Sequence, residues 1–242
     1  MGAATVRAYV KAGANVVGMD ISEADGQQVV SQAQDAGPGQ ATFVFVDIAD
    51  QDSVNAAFTA AVTHLGGLDA LAHPAAIHRS NDAGEVTVAE WDEMFAVNVR
   101  GTMLTNQAAY HHLKAAGGGA IINFGSISGQ RAEPTASAYS AAKGAVHAWT
   151  RTAAGTWGQD NIRVNAVLPA IATPMYHEAR ARSTEEQNLA NYWRNLQSIA
   201  LGEEYGDPDT DLGPVMVFLA SDASHFITGQ MIPVDGGQTN VR

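Results

Sequence analysis

Residues 1–20, MGAATVRAYVKAGANVVGMD, place a helix-sized amphipathic stretch directly before a strand-sized apolar run. Residues 2–12 read as a helix that ends at Gly13, and Ala14 to Met19 read as a buried strand stopped by Asp20. A short β-branched run entered through a glycine-closed helix is the repeating unit of a parallel sheet. The rest of the chain repeats it. Ser22 stands where it caps a helix through QQVVSQAQ that ends at the GPG cluster of 37–39, ATFVFV leads to Asp47, and Asp50 starts a helix through NAAFTAAVTHL. A short strand near Leu71, a helical region from about Val88 to Ala115, the strand AIINF, a helix from about Ala138 to Thr156, the strand RVNAVL, a helix over Leu212–Ala220 and a last strand MIPV follow. The pattern predicts a doubly wound α/β parallel sheet of six strands in a single domain, 1–242, interrupted by a long irregular insertion over about 174–209. In such sheets ligands bind outside the carboxyl ends of the strands.

Composition narrows the function. The 242 residues are 46% hydrophobic, enough for a sizeable core, and only 16% are charged, which leaves surface for contacts between subunits. A net charge of −12 offers no basic face for nucleic acid or anionic membrane, so neither is an expected partner. There is no cysteine, which excludes disulfides, thiolate metal sites and a thiol nucleophile and fits a reducing, cytoplasmic setting. No apolar run reaches the roughly 20 residues of a membrane span. No metal is expected either, since His73 has no second ligand at metal spacing.

The residues suited to chemistry gather around one helix. Tyr139 and Lys143 are four apart, so phenol and ammonium share a face, and a nearby cation favours phenolate. That pair suits acid/base work. Ser126 lies just past the carboxyl end of AIINF, where its hydroxyl can hold a substrate oxygen. Asn98, in the apolar stretch FAVNVRG, is a buried amide that needs partners and can anchor a water that passes protons to Lys143.

Taken as an ordered set, Asp20, Asp47, Asn98, Ser126, Tyr139, Lys143, the Pro169–Met175 loop and the ending TGQMIPVDGG resemble the short-chain dehydrogenase/reductase superfamily over essentially the whole chain. The resemblance implies an oxidoreductase that interconverts a secondary alcohol and a ketone, commonly as a homotetramer or homodimer. Tyr139 would exchange a proton with the substrate oxygen, and Lys143 would lower its pKa and hold ribose hydroxyls. Ser126 would steady the substrate, and Asn98 would complete the relay. Cofactor contacts would come from Gly2, Asp20, Ile21, Asp47, Ile48, Ala75, Tyr139, Lys143, Pro169 and Thr173. Asp20 has no basic neighbour in MDISEADG, so its carboxylate can accept from a ribose 2′-OH and would repel a 2′-phosphate. NAD rather than NADP is therefore expected.

The chain also departs from the family. The usual Asn-Asn-Ala-Gly after the fourth family strand is His73, Pro74, Ala75 and Ala76 here, and a Pro-Gly is Pro169-Ala170. His73 reads as a buried histidine with its hydrogen bonds satisfied. The insertion resembles the family's substrate lid, with Met175, Tyr176, Tyr192 and Trp193 as pocket candidates and Arg180 and Arg182 able to meet an acidic substrate. Family members begin with a strand and a Thr-Gly-x-x-x-Gly-x-Gly turn that approaches the pyrophosphate. Gly2 matches only the last glycine of that turn, so the expected sheet lacks the family's first strand, leaving its two neighbours without a ladder partner and cofactor binding impaired. The alternative is a cofactor-free, catalytically inactive binding or scaffold protein built on the same fold.

Overall fold

The computed structural model describes residues 1–239, with the backbone alone at 175 and 179. Among them, helices α1 (Gly2–Lys11), α2 (Glu23–Gln34), α3 (Gln51–Leu65), α4 (Val88–Phe95), α5 (Gly101–Ala116), α6 (Ser137–Trp157), α7 (Pro174–Arg182), α8 (Glu185–Arg194) and α9 (Gly213–Ala220) accompany strands β1 (Asn15–Asp20), β2 (Gln40–Phe45), β3 (Ala70–His73), β4 (Gly119–Phe124), β5 (Ile162–Pro169) and β6 (Met231–Val234). Every pairing is parallel. α1, α2 and α9 cover one face, where Val10, Val30, Met216 and Leu219 are buried. α3, α5 and α6 cover the other, around Phe58, Leu104, Leu113, Ile121 and Val164. The result is the doubly wound, Rossmann-like α/β sheet that the alternation predicts.

Local signals explain the element boundaries. Asp50 accepts the Ser53 amide at 2.7 Å and starts α3, and Thr87 and Glu90 form a reciprocal capping box on α4. A Cβ at Gly39 would stand 2.2 Å from the Ala14 carbonyl oxygen, so only glycine lets the turn into β2 lie against the end of α1. Residues 174–194 are not irregular as expected. Thr173 caps α7 with Pro174 in its first turn, and Thr184 and Gln187 form a capping box on α8.

Hydrogen bonding divides the strands into a β1–β2 ladder and a β3–β4–β5–β6 ladder, and among the described residues none joins β1 to β3. Burial follows the division. No residue of β1 is fully buried, whereas β4 is buried at every position but its first. α1 ties the two halves together, since it packs on both β1 and α9. Arg7 secures that contact with a bidentate pair to Asp209, both N–O distances being 2.8 Å. Because the two side chains are 32% and 48% exposed, Asp209→Asn will lower the unfolding free energy by only about 0.5–1 kcal/mol, read as a shift in the urea midpoint that shrinks in high salt.

Candidate active site

The carboxyl ends of the strands carry most of the expected site. Asp20 closes β1, Asp47 follows β2, His73 closes β3, Ser126 follows β4 and Pro169 closes β5. β4 feeds the turn that presents Ser126, whose hydroxyl accepts the Ser128 amide at 3.1 Å and starts a short helical turn. α6 places Tyr139 and Lys143 on the face toward that turn. Lys143 is 3% exposed, and its Nζ donates to the Phe124 carbonyl at 2.7 Å while lying 5.5 Å from the centre of the Tyr139 ring. Burial holds its pKa down to about 8.

Tyr139 departs from expectation. Burial raises its pKa, and a side-chain hydrogen bond with Ser126 offsets only part of that. The reason is geometric, for the ammonium sits against the ring face and spends a proton on Phe124 rather than on the phenol oxygen. The phenol is therefore an acid at neutral pH in this chain.

Asn98 occupies one turn of π-helix, residues 96–100, between α4 and α5, and is 1% exposed. Its side chain accepts the Ile77 amide at 2.8 Å and donates to the Ile77 carbonyl at 2.8 Å, so the amide pins the segment after β3. His73 is only half satisfied. Nδ1 lies 3.1 Å from the Thr105 hydroxyl, while Nε2 is buried and has no partner among the described residues.

At the other end of the cleft, the exposed Asp20 accepts the Ser22 amide at 2.8 Å, and Ile21 beside it is 62% exposed. Asp47 accepts the Ala49 amide at 2.9 Å, and Ile48 packs against Gly101 of α5. Gly2 opens α1 beside the Pro74 ring, with a Cβ position 3.3 Å from it, and Ala75 is exposed just beyond. Thr173 accepts the Tyr176 amide at 3.3 Å. These donors and acceptors suit a nicotinamide dinucleotide at its two ribose ends, with an uncapped helix N-terminus between them.

The insertion contributes less than expected. Tyr176 stacks edge-on against Tyr205 at 4.9 Å, and Tyr192 packs with Leu196 and Ile199 and bonds to Glu203. Trp193 is 59% exposed, Arg182 pairs with Glu178 in solvent, Arg180 is exposed, and the Met175 side chain lies outside the described residues. Several neighbours went unread in the sequence. His78 meets the Tyr139 ring edge-on at 4.7 Å, Glu133 faces both His78 and Tyr205, and His147 backs Ser126. Only His147 carried a readable sign, since it continues the four-residue spacing from Tyr139 and Lys143.

Comparison with known proteins agrees with this fold. Residues 1–239 match the family model described as "Enoyl-(Acyl carrier protein) reductase". A cis-4-hydroxycyclohexanecarboxylate dehydrogenase of Sinomonas cyclohexanicum is 36% identical, over 100% of this chain and 93% of its own. A protein of Xanthobacter autotrophicus named as an inactive 2-(S)-hydroxypropyl-CoM dehydrogenase is 34% identical, over 97% of this chain and 99% of its own. The solved structure of a short-chain type dehydrogenase/reductase from Mycobacterium ulcerans superimposes with a TM-score of 0.89 at 26% identity, covering 98% of this chain and 84% of that one.

Proposed function

Because the chain belongs to the short-chain dehydrogenase/reductase family and is an alcohol oxidoreductase of it, we propose that it interconverts a secondary alcohol and a ketone with NAD(H), Tyr139 serving as the acid/base. The observation that carries this reading is the meeting of Tyr139, Ser126 and Lys143 at the carboxyl end of β4. When bound, the nicotinamide would take the hydride from the alcohol carbon or return it. Tyr139 Oη exchanges the proton with the substrate oxygen, and Ser126 Oγ donates to that oxygen and orients it. Lys143 keeps a cation beside the phenol and has protons left for a ribose hydroxyl. Asn98 holds residue 77, and so the wall beyond β3, in place. Asp20 and Ile21 would hold the adenosine ribose, Asp47 and Ile48 the adenine, Gly2 and Ala75 the middle of the dinucleotide, and Pro169 and Thr173 the nicotinamide side. Residues 174–209 act as the substrate lid of a single domain. A groove of 830 Å³ on α4, α5 and α6, beside the stacked Trp91 and Phe95, supports assembly as a homodimer or homotetramer. Among the described residues no helix is long and apolar enough to cross a membrane. A chain without cysteine fits the reducing cytoplasm as its setting.

Cofactor choice follows from Asp20. NADH titrated by fluorescence will bind more tightly than NADPH, because the Asp20 carboxylate accepts from a ribose 2′-OH and repels a 2′-phosphate. A preference for NADPH contradicts this. The relative named as inactive keeps the second reading, a cofactor-free binding protein, in view. Oxidation of cis-4-hydroxycyclohexanecarboxylate and a panel of secondary polyols at millimolar NAD decides between them, and total inactivity selects the second. The raised phenol pKa gives a further expectation. As base, Tyr139 needs its phenolate, so kcat/KM for alcohol oxidation will climb as pH is raised from neutrality.

A further inference from the structure

His147 lies on α6 one turn beyond Lys143 and two beyond Tyr139, and it is 3% exposed. Its Nε2 accepts the backbone N–H of Ser126 at 3.3 Å. The turn around it is shaped to admit the ring. A Cβ at Gly125 would stand 2.4 Å from His147 Nε2, and one at Gly129 would stand 2.7 Å from Cε1. Glycines therefore flank Ser126 on both sides and let residues 125–129 wrap the imidazole closely. An Nε2 that accepts a hydrogen bond belongs to the neutral ring with its proton on Nδ1. Burial, together with the positive charges of Arg151 and Lys143, favours that neutral form and holds the pKa down to about 4.

Resting on the reading of Ser126 and Tyr139 above, we infer that His147 is a positioning residue, whose neutral ring fixes the Ser126 backbone and thereby aims the Ser126 hydroxyl at the substrate oxygen shared with Tyr139. It touches neither substrate nor cofactor in this role. Without the ring, the two flanking glycines would leave the turn free to move, and a displacement of about 1 Å of a hydroxyl aimed at a reacting oxygen is enough to slow a reaction substantially. The glycines and the histidine thus form one device.

The test compares the wild-type chain with His147→Leu and His147→Gln, the glutamine carrying an acceptor at the position of Nε2. Long-range 1H–15N spectra of the wild type are expected to show the Nδ1–H tautomer at His147. Amide exchange at Ser126 is expected to rise about tenfold or more in His147→Leu and to return near wild type in His147→Gln. At millimolar NAD, kcat is expected to fall about 10- to 100-fold in the leucine variant, with KM for NAD unchanged, and to recover in the glutamine variant. An Nε2–H tautomer, an unchanged Ser126 amide in His147→Leu, a leucine variant with wild-type kcat, or a glutamine variant as poor as leucine overturns the inference. Should the leucine variant fail to fold, the tautomer and the protection of Ser126 in His147→Gln still decide. If the wild type oxidises nothing, the oxidoreductase reading fails on its own, while tautomer and amide exchange judge the strut independently.

Discussion

Tyr139→Phe will lower the rate of alcohol oxidation by about 10³-fold or more while leaving the fold nearly unchanged. The substitution removes a single oxygen. The ring keeps its edge contact with His78 at 4.7 Å and its place against Met94 and Ala142, so packing is preserved. What is lost is the phenol oxygen proposed to exchange the proton with the substrate, and Ser126 cannot replace it once its hydroxyl donates to substrate. General acid/base transfer contributes about 10²–10⁴-fold to typical rates, and the oxygen's hydrogen bond to substrate adds to that. The measurement is kcat at saturating alcohol and millimolar NAD, with far-ultraviolet circular dichroism and NADH titration as controls. Activity within tenfold of wild type would remove Tyr139 from the chemistry and leave the acid/base role without a candidate.

The fold and the places of the candidate site side chains were legible in the sequence for the same reason, that both depend on spacing along one element. Tyr139 and Lys143 share a helix, and Ser126 and Asp20 sit at strand ends marked by an abrupt change from apolar to polar. What stayed hidden depends on contacts between elements far apart in the chain. Asn98 bonds to residue 77 across 21 positions, a partner no periodicity points to, and the π-helical turn that aims it looks like ordinary helix in the sequence. The sign of the Tyr139 shift was misjudged because spacing places a cation near a ring without saying which atom receives its proton. The helices of 174–194 were readable after all, in Thr173-Pro174 and in Thr184 with Gln187, although α7 carries no apolar stripe to draw attention.

The chain will lose about 2–4 kcal/mol of stability between pH 7 and pH 5, before its carboxylates begin to protonate in number. Two histidines carry most of this, with His78, also lowered by burial, adding to it. His73 is 5% exposed with its pKa lowered to about 3 by burial and by Lys143, and His147 is 3% exposed with its pKa lowered to about 4 by burial, Arg151 and Lys143. In the unfolded chain each titrates near pH 6.5, so below that value the unfolded state takes up protons that the native state refuses. Stability is thus fully present above about pH 6.5 and drains away until the native rings themselves protonate, near pH 4 for His147 and near pH 3 for His73. Over this interval the full shifts set the upper end of that range, and relaxation around a newly charged ring reduces the loss. Urea unfolding followed by tryptophan fluorescence at pH 7 and pH 5 measures the slope directly. The double variant His73→Asn, His147→Gln removes both titrations, and whatever its stability at pH 7, it should lose less than half as much on going to pH 5. Equal losses in the two proteins would mean that neither ring is held neutral, and would remove with it the acceptor on which Ser126 rests.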